Sequence, residues 1–246
     1  MVNKSLGQHW LKNRMILDEI AELAGDGPLC LEIGPGLGTL TSSLLRRFEK
    51  VIAVEYDADL ARKLPGSFPG KNLEVANEDF LKYNLESLPQ PYVVAGNIPY
   101  YITSPIIEHI LATDNMPGRV VLLMQKEVAE RIVDERESLL SLRVKNRADA
   151  VLGPIVVAEE FTPPPKVDSQ VLILKPHAPM VPDEVFKVIE VGFIAPRKKV
   201  TRNLSTLMSR DKIKEIFEKL NLNIDARPGD LHLDDWHKIY LSMQEK

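Results

Sequence analysis

Residues Pro28 to Leu45 constrain the fold of this chain more than any other stretch. A short, largely apolar run, Pro28-Leu29-Cys30-Leu31-Glu32-Ile33, leads into Gly34-Pro35-Gly36-Leu37-Gly38-Thr39 and then into Leu40, Leu44 and Leu45 at helical spacing. Strand, glycine turn and helix in that order open a doubly wound α/β sheet, with the turn placed to meet a nucleotide. Gly34, Gly36 and Gly38 let the backbone approach a ligand, but Thr39 stands where the last glycine of G-x-G-x-x-G belongs. That departure argues against a dinucleotide pyrophosphate. The next apolar run, Val51-Ile52-Ala53-Val54, ends at Glu55. Its carboxylate falls about 20 positions after the first glycine, where it can accept hydrogen bonds from both hydroxyls of a ribose.

Further apolar runs fit the same architecture. Leu73-Glu74-Val75-Ala76 precedes Asn77-Glu78-Asp79-Phe80, and Val120 to Met124 reads as another buried strand. Val93-Val94-Ala95-Gly96 closes on Asn97-Ile98-Pro99-Tyr100, a strand whose carboxyl end opens a crevice in a parallel sheet. Asn97 offers a side-chain oxygen, Pro99 withholds its N–H, and Tyr100 adds a flat ring. Acceptors beside an aromatic face suit a planar exocyclic amine on a heterocycle, and stacking on such a ring is worth roughly 1–3 kcal/mol per base. Val156-Val157-Ala158 and Val171 to Leu174 are expected to form an antiparallel hairpin at the sheet edge. Pro163-Pro164-Pro165 stiffens the connection. Phe161 at its start is either a second aromatic wall for a base or a cap on the core.

A chain of 246 residues holds one sizeable core and a small appendage. Pro176-His177-Ala178-Pro179 reads as the linker, giving an expected domain over 1–178 and a second over 179–246. Beyond the linker only helical patterns follow, through Val185 to Ile194, Val200 to Met208, Lys212 to Leu220 and Trp236 to Met243. The single cysteine, Cys30, lies in an apolar run, so it is expected in the core, and no disulfide framework is possible. No Cys/His cluster has metal-ligand spacing, so no metal is expected. No apolar run nears the roughly 18 residues that span a bilayer. With no signal-peptide pattern either, a cytoplasmic protein without membrane contact is expected. A net charge of -4 is awkward for a nucleic-acid partner. Yet Lys187 to Lys219 holds nine basic and four acidic residues, a local +5. Within it Pro196 is placed to open a helix, which would make Lys198 and Lys199 neighbours of Arg202 and point Arg197 elsewhere.

Asn97-Ile98-Pro99-Tyr100 resembles the N-[IL]-P-Y motif of the ribosomal RNA adenine N6-dimethyltransferases of KsgA/Dim type and their Erm relatives. Gly7-Gln8-His9-Trp10-Leu11, Glu32 to Gly38, Gln125 to Arg131 and Phe161 to Ser169 match in the family's order and span most of the chain. The resemblance implies a Rossmann-like, class I S-adenosylmethionine-dependent methyltransferase sheet with a small C-terminal all-helical domain. It implies S-adenosylmethionine as cofactor, touched by His9 and Leu11 of an N-terminal arm and by Gly34 and Gly36. Glu55 would hold the ribose and Asp79 the adenine amine, with Phe80 beside the ring. Asn97 and the Ile98 carbonyl would accept hydrogen bonds from the substrate amine, with Pro99 and Tyr100 completing the turn, and Phe161 joins the catalytic set where it serves as the second aromatic wall. Its expected partner is ribosomal RNA within a small subunit or its precursor, with two adjacent adenosines each methylated twice and a monomeric enzyme acting on them.

Three alternatives share parts of this pattern. Erm-type enzymes act on free large-subunit RNA but are typically basic overall, and DNA adenine methyltransferases more usually carry D/N-P-P-Y. A ribosome-assembly factor whose binding outweighs its catalysis is the third. One departure is local: where the family usually has a Tyr-Gly pair, this chain has Glu137-Ser138-Leu139-Leu140-Ser141-Leu142.

Overall fold

The computed structural model describes residues 9–245. Gly7 and Gln8, and with them most of the expected arm, lie outside the described residues. Nine strands are seen among these residues: β1 (Trp10–Leu11), β2 (Gly27–Ile33), β3 (Phe48–Glu55), β4 (Leu73–Asn77), β5 (Val93–Asn97), β6 (Arg119–Gln125), β7 (Ala148–Val156), β8 (Phe161–Thr162) and β9 (Ser169–Pro176). Seven of them form one sheet in the order β4-β3-β2-β5-β6-β9-β7. The pairs from β4 to β6 are parallel, whereas β9 runs antiparallel to both β6 and β7. The expected edge hairpin is present, but β7 begins earlier, at Ala148.

The sheet order reverses between β2 and β5, and ligands of open α/β sheets bind outside the strand ends at such a point. The two strands come unusually close there. A Cβ on Gly96 would lie 2.9 Å from the Ile33 carbonyl oxygen, so only glycine lets β5 sit in register beside β2. Leu31, Val94, Ala95, Val120 and Val121 are fully buried, which is why these central strands read as continuous apolar runs. Cys30 is buried among them, and its thiol pKa is raised by burial.

The residues 161–169 do more than connect β7 to β9. Within them β8 pairs antiparallel with β1, Trp10 opposite Thr162 and Leu11 opposite Phe161. Leu11 and Phe161 pack into one core cluster with Leu17, Ile20, Val156 and Val171.

Two compact units emerge, and their division differs from a cut at residue 178. One contains the described residues up to Glu130 with Ala148–His177; the other contains Arg131–Arg147 with the residues from Ala178 onward. Leu142 explains the difference: it is fully buried in the core of the helical unit with Val185, Ile189, Phe217 and Trp236. The segment with the unusual Glu137 to Leu142 sequence is helical over Leu139–Arg147. Ser138 and Ser141 start it by exchanging hydrogen bonds, each hydroxyl accepting from the other's N–H, a reciprocal arrangement of the capping type. In this unit the side chain of Trp236 sits against Gly192, where an added Cβ would come 2.2 Å from the ring. Among the described residues no helix is long and apolar enough to cross a membrane.

Candidate cofactor and base site

The carboxyl ends of β2, β3, β4 and β5 surround a cavity of about 340 Å³. That falls within the 300–1,000 Å³ usual for small-molecule sites. Its floor is the glycine turn. Gly34, Gly36 and Gly38 have φ of 61°, 57° and 79°, the left-handed region that side chains disfavour. Gly36 carries a second constraint, since a Cβ there would come 3.0 Å from Nε1 of Trp10.

Glu55, at the end of β3, is buried against that turn. Its Oε2 accepts from the Gly36 N–H at 2.9 Å and its Oε1 from the Asp57 N–H at 2.8 Å. Each oxygen keeps a further lone pair for a ligand. Burial raises the Glu55 carboxyl above its ordinary pKa, and the backbone donors pull the other way. Asp79 follows β4, and one of its oxygens accepts from the Leu81 N–H at 3.0 Å, fixing the carboxylate at the cavity wall. Phe80 lies beside it, its ring held edge-on by His109 at 5.4 Å.

At the opposite wall stands the turn after β5. The Asn97 Nδ2 donates to the main-chain oxygen of His9 at 3.0 Å. Tyr100 is tied by its hydroxyl to Ser169 Oγ at 2.7 Å, and its ring stacks on that of His9 with centroids 5.8 Å apart. Burial raises the Tyr100 phenol above its usual pKa, so it stays protonated as a hydrogen-bonding group.

Of the residues expected from sequence, His9, Gly34, Gly36, Glu55, Asp79, Phe80, Asn97, Ile98, Pro99 and Tyr100 all line this cavity. Leu11 and Phe161 do not. They are 1% and 2% exposed, and both face the core. Strand parity is the reason: successive side chains of β1 point to opposite sides, so Trp10 faces the cavity and Leu11 turns away from it with its partner Phe161. The core-cap alternative for Phe161 is the one its burial matches.

Among the further residues that line the cavity, Trp10 and Glu32 stand out. Trp10 is the cavity-facing residue of β1, a two-residue strand too short for alternation to show in the sequence. Glu32 carried a plainer signal, a carboxylate inside a buried apolar strand. It is 1% exposed, it lines the cavity, and its Oε2 has no hydrogen-bond partner among the described residues. Burial pushes the Glu32 carboxyl up to about 8, against the pull of the Thr41 hydroxyl and N–H and with the Glu55 carboxylate adding to the rise.

The raised value has a pH consequence. With an ordinary pKa of 4.5 and a folded one near 8, the folded state holds a proton that the unfolded state has lost between those limits. Glu32 therefore contributes most to stability below pH 4.5, and that contribution is lost as pH rises through 8. Glu32→Gln cannot lose a proton, so its stability should gain on wild type by up to about 1.4 kcal/mol per pH unit across the window. Urea unfolding at pH 5, 6.5 and 8 checks this. A difference that does not change with pH would mean that the carboxyl is ionised throughout.

The chain matches the family model described as ribosomal RNA adenine dimethylase over residues 1–245. It is 39% identical to the ribosomal RNA small subunit methyltransferase A of Nostoc sp., covering 96% of each chain. The protein of that name from Mycoplasmopsis synoviae is 38% identical, over 93% of this chain and 92% of its own. Among solved structures, a dimethyladenosine transferase from Plasmodium falciparum superposes with a TM-score of 0.80 at 28% identity, over 96% of this chain and 98% of that one. The 23S rRNA methyltransferase ErmE superposes at 0.75 with 26% identity, over 96% of this chain and all of its own.

Proposed function

Because the chain belongs to the ribosomal RNA adenine dimethylase family, we propose that its substrate is a hairpin of small-subunit ribosomal RNA. There it converts two adjacent adenosines to their N6,N6-dimethyl forms, as a step in ribosome biogenesis. The observation that carries this reading is the polarity of Asn97. Its amide nitrogen is committed to the His9 carbonyl, which leaves Oδ1 as an acceptor at the cavity wall.

The cavity lining fits S-adenosylmethionine. Glu55 retains lone pairs for ribose hydroxyls, Asp79 for the adenine amine, and Phe80 supplies an apolar surface beside the ring. The unpartnered Oε2 of Glu32 suits a cationic group, in whose presence the carboxyl would ionise. When bound, S-adenosylmethionine supplies a methyl group activated by its sulfonium. Asn97 Oδ1 and the Ile98 carbonyl accept hydrogen bonds from the substrate amine, whose lone pair is otherwise delocalised into the base. Both bonds strengthen as that lone pair localises, so they favour the transition state over the ground state. Tyr100 offsets the cost of unstacking the base. The proton released from the methylated amine passes to water, and the rest is positioning, which makes the transfer effectively unimolecular.

The helical unit supplies the groups for gripping RNA. The expected helix from Pro196 is replaced by a turn. Lys199 is extended, with ψ of 141°, and the helix starts only at Val200. Lys198 and Lys199 are therefore not helical i,i+4 and i,i+3 neighbours of Arg202, but the turn gathers the cations another way. Arg197, Lys198, Lys199 and Arg202 line one cleft with Arg210, Lys214 and Arg227, and Arg197 is part of it after all. Asp225 is the one acidic residue lining it, and it pairs with Lys199. Each phosphate contact adds about 0.7–0.9 to the slope of log affinity against log salt. Replacing Lys198, Arg202 and Arg210 by Gln is expected to flatten that slope for RNA binding by roughly two units while cofactor binding is kept. A wild-type slope in the variant would place the RNA on another surface.

The function itself is tested by methyl transfer from labelled cofactor to unmethylated small subunits, protein-free large-subunit RNA and duplex DNA. Preference for the small subunit is expected, in line with the higher identity to small-subunit enzymes than to ErmE. Labelling of free large-subunit RNA instead would establish the Erm-type alternative.

A further inference from the structure

The position of His9 carries one more inference, and it rests on the reading that Asn97 accepts the substrate amine. A primary amide has a donor end and an acceptor end of nearly equal size, and only its hydrogen-bond partners decide which faces where. If Asn97 turned its NH2 to the cavity, it would meet another NH2, donor against donor. The His9 main-chain oxygen prevents this, because a carbonyl only accepts and so captures Nδ2, at 3.0 Å. That oxygen is itself held in place by the His9 side chain. Nδ1 is 2.7 Å from the Pro163 carbonyl and must carry the hydrogen, since the carbonyl has none. The imidazole also stacks on Tyr100 with an interplanar angle of 18°. One residue next to the β1–β8 pair thus touches the amide acceptor, the stacking ring and the proline loop.

We infer that His9 is a positioning residue for methyl transfer: its main-chain oxygen sets the orientation of the Asn97 amide, and its ring anchors that oxygen to the loop at Pro163. It then acts on the chemical step in addition to the cofactor contact that its sequence context implies.

The test compares His9→Ala, His9→Asn and His9→Phe in the full-length protein, by single-turnover methyl transfer to RNA and by cofactor calorimetry. His9→Ala should slow the single-turnover rate at saturating cofactor about tenfold to a hundredfold, the scale of a displaced catalytic group. His9→Asn should recover most of the rate, because its amide nitrogen can take over the Nδ1 donor role. His9→Phe keeps a stacking ring without a donor and should stay slow. The pair His9→Ala with Asn97→Ala should be no slower than Asn97→Ala alone, as for two residues acting through one interaction. A wild-type rate in His9→Ala would overturn the inference, as would a loss confined to cofactor affinity or full additivity with Asn97→Ala. Failure of the underlying reading looks different: Asn97→Ala alone would then transfer methyl groups at the wild-type rate.

Discussion

Asn97→Ala is expected to lower the single-turnover rate of methyl transfer by about 10²–10³-fold, the cost of removing one preorganised hydrogen bond to developing charge. Cofactor affinity should stay close to wild type. The split follows from where the bond acts. Asn97 Oδ1 meets the amine weakly while its lone pair is delocalised and strongly once the new N–C bond forms, so the loss appears in turnover. Truncation also leaves the His9 carbonyl without its donor. That group is backbone at the cavity wall, and water can replace the lost donor, so folding should suffer little. Rapid-quench single-turnover assays with saturating cofactor, alongside calorimetry, measure the two quantities separately. A wild-type transfer rate would exclude Asn97 as acceptor. Asn97→Asp is informative beside it, since its carboxylate keeps an acceptor but sets an oxygen against the His9 carbonyl oxygen. Its rate should also fall.

The parts of the site that sequence made legible are those in which one short segment contains the whole device. The glycine turn is one: three glycines after an apolar run imply left-handed backbone wherever the fold places them, and all three positive φ values are found. Glu55 is another, because the parallel β2–β3 pairing fixes the end of β3 beside the turn. Contacts that join distant segments were not legible. Asn97 and His9 are 88 residues apart, and Tyr100 and Ser169 are 69 apart, and nothing local in either member announces the other. Family motifs marked all four positions without saying that they touch.

Where placement differs from expectation, the reason is parity or punctuation. A two-residue strand pair alternates its faces, and the side chains of Leu11 and Phe161 fall on the core side, the second alternative for Phe161. Pro196 is compatible with a helix start, yet it lies in a turn, Lys199 is extended, and the helix begins only at Val200. The proline-rich linker marks one crossing between the two units, and tertiary packing adds residues 139–147 to the second, because their apolar face is buried by helices that follow the linker, through Leu142.

Glu55→Ala should produce the largest loss of cofactor affinity, because this carboxylate has two roles. Toward the cavity it offers acceptors to ribose hydroxyls, and hydrogen bonds to a charged group are worth roughly 1.5–3 kcal/mol each. Toward the protein it receives the Gly36 and Asp57 N–H groups, and so holds the glycine turn in the shape that the cofactor meets. Removing it takes away both, so a loss of about 100-fold or more in affinity is expected. Thermal stability should fall as well, since two backbone donors lose their partner. Glu55→Gln separates charge from shape. Whichever way its amide turns, an NH2 faces either the Gly36 or the Asp57 N–H, so this near-isostere should lose most of the affinity too. Calorimetric titration of both variants with S-adenosylmethionine and with its demethylated product provides the measurement, with circular dichroism to verify folding. Folded variants that bind the cofactor as tightly as wild type would remove Glu55 from the ribose site and leave it the turn alone.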